Sequence, residues 1–124
     1  MKITLTHEES EKYFHTALCN SLDYLGSYGI ELEYDNDAYK VSKAKLDSPC
    51  FEDVLLQLLK DGGTLKFIDN ESGMDEVEIT IDDVYERVQN TPLSHLVDMI
   101  NEHDDAETGD VVLQTVIYNE VVFG

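Results

Sequence analysis

Basic residues are scarce in this sequence. Eight lysines and arginines stand against 27 acids, for a formal net charge of −19 over 124 residues. That shortage disfavours direct contact with DNA, RNA or an anionic membrane, where like charges repel. Tryptophan is absent, and there are two prolines and two cysteines. Two cysteines, Cys19 and Cys50, do not make a disulfide framework. No apolar run approaches the ~20 residues of a membrane-spanning helix. Met1 to Leu5 is too short and too polar for a secretory signal, so the expected location is the cytoplasm. Phosphate-loop chemistry is excluded as well. Gly62-Gly63 lacks the further glycines and the lysine that such a loop needs. Asp69-Asn70-Glu71-Ser72-Gly73 is not a calcium-binding hand: its glycine comes one position early, and Thr80 stands where the bidentate glutamate belongs.

What remains is an ordinary apolar share, 42%, enough for one hydrophobic core in a single domain over residues 1–124. Lys2–Leu5 reads as a short strand. Thr6-His7-Glu8-Glu9 is a capping box, which opens a helix with Phe14, Leu18, Leu22 and Leu25 on one face and Gly26 and Gly29 at its end. Ile30–Tyr34 alternates as a half-buried strand, and Asp35-Asn36-Asp37 reads as a turn. Ala38–Leu46 stays open between strand and helix. Ser48-Pro49 predicts a helix start, and Asp61-Gly62-Gly63 its stop. Thr64–Ile68 and Val77–Ile81 form a hairpin around a polar loop, Asp69–Glu76.

Asp82–Gln89 reads as a short helix. Thr91-Pro92 starts another, with Leu93, Leu96, Val97 and Ile100 on one face. Val111–Tyr118 is rich in β-branched residues and admits a strand, but the acids before it favour a helix. Glu120–Phe123 closes the chain as a strand. The expected fold is therefore α+β, with a small antiparallel or mixed sheet and four to five helices.

Few residues propose chemistry. His95 and His103, with Asp98, Glu102 and Asp104 nearby, would align with Met99 on one continuous helix, as a metal-assisted hydrolase requires. The simpler reading is two surface histidines near a helix end. His15 and Cys19 are one turn apart, the spacing of an activated thiol. No third orienting group accompanies them, and Cys19 reads as a small core residue beside Phe14, Leu18 and Leu22. A pocket lined by several of Tyr13, Tyr24, Tyr34, Tyr39 and Tyr85 would instead make a small-molecule binding domain. No catalytic residue, metal ligand or cofactor is assigned.

The acidic surface is the principal candidate. From Phe67 to Gly124 there are 15 acids and one base, Arg87, against 12 acids and seven bases in residues 1–66. The two halves are thus net −14 and −5. The residues expected to bind a partner are Asp69, Glu71, Asp75, Glu76 and Glu78 on the hairpin, then Asp98, Glu102, Asp104, Asp105, Glu107 and Asp110. Carboxylates fixed in rows imitate the regular charge of nucleic acid, which suits a basic protein surface such as that of a nucleic-acid-handling protein. In size, in charge, and in the stretch from His95 through Asp110 to Gly124, the chain resembles small acidic proteins of phages and mobile elements, the DNA-mimic inhibitors among them. That resemblance implies a non-enzymatic inhibitor or modulator that acts by binding. Self-association through the C-terminal strand is left open.

Overall fold

The computed structural model describes residues 3–71 and 75–123. Among these are six α-helices and one three-stranded antiparallel sheet: α1 His7–Ser27, β1 Ile30–Glu33, α2 Asn36–Ala44, α3 Phe51–Lys60, β2 Leu65–Asp69, β3 Asp75–Ile79, α4 Ile81–Arg87, α5 Leu93–Ile100 and α6 Ala106–Tyr118. The α+β class follows the sequence, and the open segment Ala38–Leu46 contributes the additional helix, α2. Asp35 caps it by accepting the Ala38 N–H at 2.8 Å, so Asp35-Asn36-Asp37 begins a helix and is not a free turn.

α6 organises the core. All ten residues from Thr108 to Ile117 are buried. Such a helix is enclosed on every side. α1 crosses it so closely that a Cβ on Gly109 would lie 2.2 Å from Ser21 Oγ. Ser21 uses that closeness, donating its hydroxyl hydrogen bond to the Ala106 carbonyl at 2.6 Å. Phe14, Ala17 and Leu18 of α1, Leu55, Leu58 and Leu59 of α3, and Leu65, Phe67 and Ile79 of the sheet complete the core.

The Thr6 capping box forms as expected, with Thr6 Oγ1 accepting from the Glu9 N–H and Glu9 Oε1 from the Thr6 N–H. The helix it opens runs through Gly26, and the turn comes at Gly29, whose φ of +83° suits glycine. The strand order is β1-β2-β3. Alternation places Ile30, Leu32, Phe67, Val77 and Ile79 on the inner face. Glu31, Glu33, Lys66, Ile68, Glu76 and Glu78 share the outer face.

Several boundaries differ from the sequence reading. Ile3–Leu5 is irregular, and Lys2 lies outside the described residues. The Leu5 N–H goes to the Gln89 side chain at 3.1 Å, not to a neighbouring strand. α3 starts at Phe51 with Cys50 as its cap residue, because the Asp53 carboxylate accepts the Cys50 N–H at 3.1 Å. Ser48 instead takes a φ of +48°.

Ile81 belongs to α4, since Asp83 caps that helix through the Thr80 N–H at 2.9 Å. Pro92, not Thr91, occupies the cap position of α5. Only Leu96 of the expected α5 stripe is buried, joined by Met99, while Leu93, Val97 and Ile100 are exposed. Glu120–Phe123 forms no strand. Its backbone is taken by the Gln114 side chain, whose Oε1 accepts the Val122 and Phe123 N–H groups at 2.8 Å each and whose Nε2 donates to the Phe123 carbonyl at 3.1 Å.

Candidate functional site

The outer face of the sheet carries the most ordered acidic surface. An antiparallel register puts directly opposed residues on one face. Two ladders result, Glu31–Ile68–Glu76 and Glu33–Lys66–Glu78. All four glutamates are exposed. Successive glutamates along one edge are two residues apart, or ~6.7 Å. The two edge strands are two inter-strand steps apart, or ~9.6 Å. The face thus holds two carboxylate rows, four negative charges against the Lys66 ammonium, which lies 3.7 Å from both Glu76 and Glu78.

The acids singled out from sequence fall into different environments. Asp69 is buried and its carboxylate accepts the Glu71 N–H at 3.0 Å, so it is not part of an exposed band. Asp110 is buried too, accepting from the Tyr28 hydroxyl at 2.7 Å and from Gln114 Nε2 at 3.1 Å. That contact pushes the Tyr28 phenol up to about 12, the hydrogen bond to Asp110 being the main cause. Each acid borders an apolar run, Phe67-Ile68 before Asp69 and Val111-Val112-Leu113 after Asp110, and the Tyr28 partner of Asp110 lies 82 residues away. Glu71 is exposed over Gly29. The Asp75 side chain lies outside the described atoms.

Asp98 and Asp104 are half-buried, and Asp104 accepts from Asn20 Nδ2 at 3.2 Å. Asp105 caps α6 through the Thr108 N–H at 2.9 Å, and that backbone donor holds its carboxyl below the usual range. Glu102 and Glu107 are exposed. Sequence reasoning did not include Glu31 and Glu33 in the site. Their signal was present in the Ile-Glu-Leu-Glu alternation; what was missing was the pairing that sets them opposite Glu76 and Glu78.

His95 and His103 do not share a helix. α5 ends at Ile100, His103 follows it, and His95 Nδ1 is 3.2 Å from Thr108 Oγ1. The alignment needed for a hydrolytic metal pair is absent.

The histidine that gathers partners is His15. Its Nε2 lies 2.6 Å from Asp53 Oδ1, and Cys19 Sγ is 3.8 Å from Nε2 and 3.9 Å from Nδ1. Asp53 is therefore the third group that the sequence did not reveal, 38 residues from His15. Cys19 is exposed, not a core residue. Its sulfur is nearly equidistant from the two ring nitrogens and so lies off both lone-pair axes. Burial, then Glu52, Cys50 and Asp53, push its thiol up, against the activation a nucleophile needs. A surface pocket of about 440 Å³ opens beside His15 and Asp53, but Cys19 does not line it. Asp53 is held below the usual carboxylate range, first by the Cys50 N–H and further by the Cys50 side chain and His15. Cys50 also approaches this pair: one ligand atom each from His15, Cys50 and Asp53 lie within 4.8 Å of one another.

The tyrosines do not converge on one pocket, although Tyr34 and Tyr39 stack with their ring centroids 5.1 Å apart. Tyr13 is in the core and Tyr24 is exposed. A pocket of about 290 Å³ bounded by Leu22, Ile30, Phe51 and Phe67 includes Tyr34 but none of the other four. Among the described residues, no helix is long and apolar enough to cross a membrane. Comparison with protein-family models, with curated proteins and with solved structures finds no match to this chain.

Proposed function

We propose that this chain is a non-catalytic acidic binding protein that presents its outer sheet face to a basic surface on a protein partner, a nucleic-acid-handling protein in the sharpest form of the reading. The observation that carries it is the pair of carboxylate rows, Glu31 and Glu33 against Glu76 and Glu78. A sheet fixes such charges in advance, so binding spends little ordering entropy on their backbone positions. The ~9.6 Å row separation, two inter-strand steps, lies between the ~6 Å minor-groove and ~12 Å major-groove widths of duplex DNA. A cleft that straddles two phosphate strands would meet both rows at once. Fixed surface charge of one sign steers encounter with a partner of the other sign.

The experiment compares two fourfold variants. One carries Glu→Gln at Glu31, Glu33, Glu76 and Glu78. The other neutralises Asp23, Asp82, Glu86 and Glu107, which are also exposed. A partner is captured by the unaltered chain and eluted with salt, and association rates are measured across a salt series. Neutralising the sheet face should slow association at least ~10-fold at low salt, with little change for the other set. Duplex DNA should compete for a partner of the nucleic-acid-handling kind. Equal rates for the two variants would refute the assignment of the sheet face.

A further inference from the structure

The fold brings both of the chain's cysteines to one histidine. His15 and Cys19 are four residues apart on α1 and so share a face. Cys50 and Asp53 bracket the first turn of α3. Ligand atoms of His15, Cys50 and Asp53 already lie within 4.8 Å of one another, and Cys19 Sγ, outside that group, is 3.8 Å from His15 Nε2. We propose that His15, Cys19, Cys50 and Asp53 form a binding site for a zinc-class divalent cation, with two sulfurs, one nitrogen and one oxygen as ligands.

The donor set selects the ion. Calcium and magnesium take oxygen ligands, whereas thiolates with an imidazole suit zinc, and one carboxylate is compatible with it. Three of the four ligand atoms are within the reach of one ion, and small side-chain rotations complete the site. Tetrahedral zinc with bonds of ~2.0–2.3 Å sets its nitrogen and sulfur ligands ~3.6 Å apart and its nitrogen and oxygen ligands ~3.3 Å apart. Cys19 Sγ is 3.8 Å from His15 Nε2 but also 3.9 Å from Nδ1, off the Nε2 lone-pair axis, so its side chain must rotate toward Cys50 and Asp53 to ligate. Asp53 Oδ1 is nearer to Nε2, at the 2.6 Å of a hydrogen bond. The cation therefore takes the place of the proton between Nε2 and Oδ1, and the two side chains part by ~0.7 Å.

Both cysteines are exposed, and His15 and Asp53 are half-buried, so these rotations displace no core residue. The other Asp53 oxygen is anchored on the Cys50 N–H at 3.1 Å, which keeps Oδ1 turned to the site. Binding releases the two thiol protons to solvent as the sulfurs become thiolates, and the imidazole proton leaves Nε2 for Nδ1, so that the neutral ring ligates through Nε2. The site uses none of the four sheet glutamates and stands apart from the function proposed above.

A surface of net charge −19 collects divalent ions weakly through oxygen, so the test must read sulfur. The reduced chain is titrated with Co²⁺ in excess Mg²⁺. The expected result is one cobalt per chain, a thiolate-to-cobalt charge-transfer band, and its loss when Zn²⁺ is added. Cys50→Ser and His15→Ala should each weaken binding at least ~10-fold, the lower end of what even outer-shell changes cost, and His103→Ala should leave it unchanged. Because Cys50→Ser also touches the start of α3, a second measurement uses the unaltered chain. Zn²⁺ should slow alkylation of both thiols. Cobalt bound without a sulfur band, a band untouched by Cys50→Ser and His15→Ala, or thiols alkylated equally fast with and without Zn²⁺ would each overturn the site.

Discussion

Gln114 should control whether the C-terminal segment stays docked. Its side chain is fully buried and makes four hydrogen bonds: two N–H groups accepted from Val122 and Phe123, and two donated, to the Phe123 carbonyl and to Asp110. At ~1 kcal/mol net for each, the set is worth up to ~4 kcal/mol if the released groups remained buried. They do not remain so in Gln114→Leu. Val122 is already 51% exposed, so the segment peels into water and regains hydrogen bonds there. The loss is then set by what docking is worth. That is ~1–2 kcal/mol for the partly buried Phe123 ring, which stacks on Tyr28 at 4.8 Å, plus ~1 kcal/mol for the bond to Asp110. Gln114→Leu should therefore destabilise the protein by ~2–3 kcal/mol. This lowers Tm by roughly 10 °C for a chain of this size. Removing residues 120–124 should cost a similar amount, and the two changes together little more than the larger one. Urea unfolding of the three variants measures this. Additive losses would mean that Gln114 and the segment stabilise the fold independently, which would refute the docking role of Gln114.

Gly109→Ala places a Cβ 2.2 Å from Ser21 Oγ and 3.4 Å from the Ala17 Cα, so it should cost ~1–3 kcal/mol by overpacking, part of which Ser21→Ala should relieve in thermal melts of the double variant. Tyr28 and Tyr85 should resist ionisation: both phenols are pushed up to about 12, Tyr28 by its hydrogen bond to Asp110 and Tyr85 by burial followed by its bond to Glu11. Because these pKa values are raised, the stability from the two contacts is complete below pH ~10 and is lost as pH rises through about 12, which tyrosinate absorbance followed beside circular dichroism will show. Arg87→Met should destabilise by ~1–3 kcal/mol in denaturant, since the Arg87 guanidinium donates to the Val116 carbonyl at 2.9 Å near the end of α6; a loss under ~0.5 kcal/mol would show that this carbonyl is satisfied otherwise.

Local chemistry made much of this fold readable. Thr6 and Glu9 close a box within four residues, and the Ile30–Glu33 alternation needs only its own pleat. Elements depart from their local pattern where a side chain elsewhere in the chain takes the backbone groups. Ser48-Pro49 is a good local start, but Asp53, bonded to both the Cys50 N–H and His15, moves the start to Phe51. Val121 and Val122 suit a strand, yet Gln114 is the partner their segment finds. Asp69 and Asp110 are buried although acidic, each at the border of an apolar run, and residue type alone points them to the surface. The same holds for the candidate sites. Each row of glutamates was legible in its own strand, whereas the antiparallel register that opposes the rows, and the packing of α1 on α3 that joins His15 to Cys50 and Asp53, are tertiary facts.

The acids also differ in what they do for the fold, and this separates structural charge from charge available to a partner. Glu9, Asp35, Asp53, Asp83 and Asp105 each accept a backbone N–H at a helix start, serving five of the six α-helices. An acid there is favoured by the helix dipole and satisfies a donor that would otherwise lack a partner. Glu11 is held by Tyr85 and Lys60, and Asp61 by Ser42, Gln57 and Lys45. Much of the negative charge is thus returned as local stability. Glu31 and Glu33 receive no such return: among the described residues their carboxylates make no hydrogen bond or ion pair, and they face Glu76 and Glu78 across one intervening strand. Lys66 relieves only the far side of that arrangement, through Glu76 and Glu78. Residues that repel one another without capping, pairing or packing add nothing to folding, so the sheet face is where a role in binding has the least competition from a structural one.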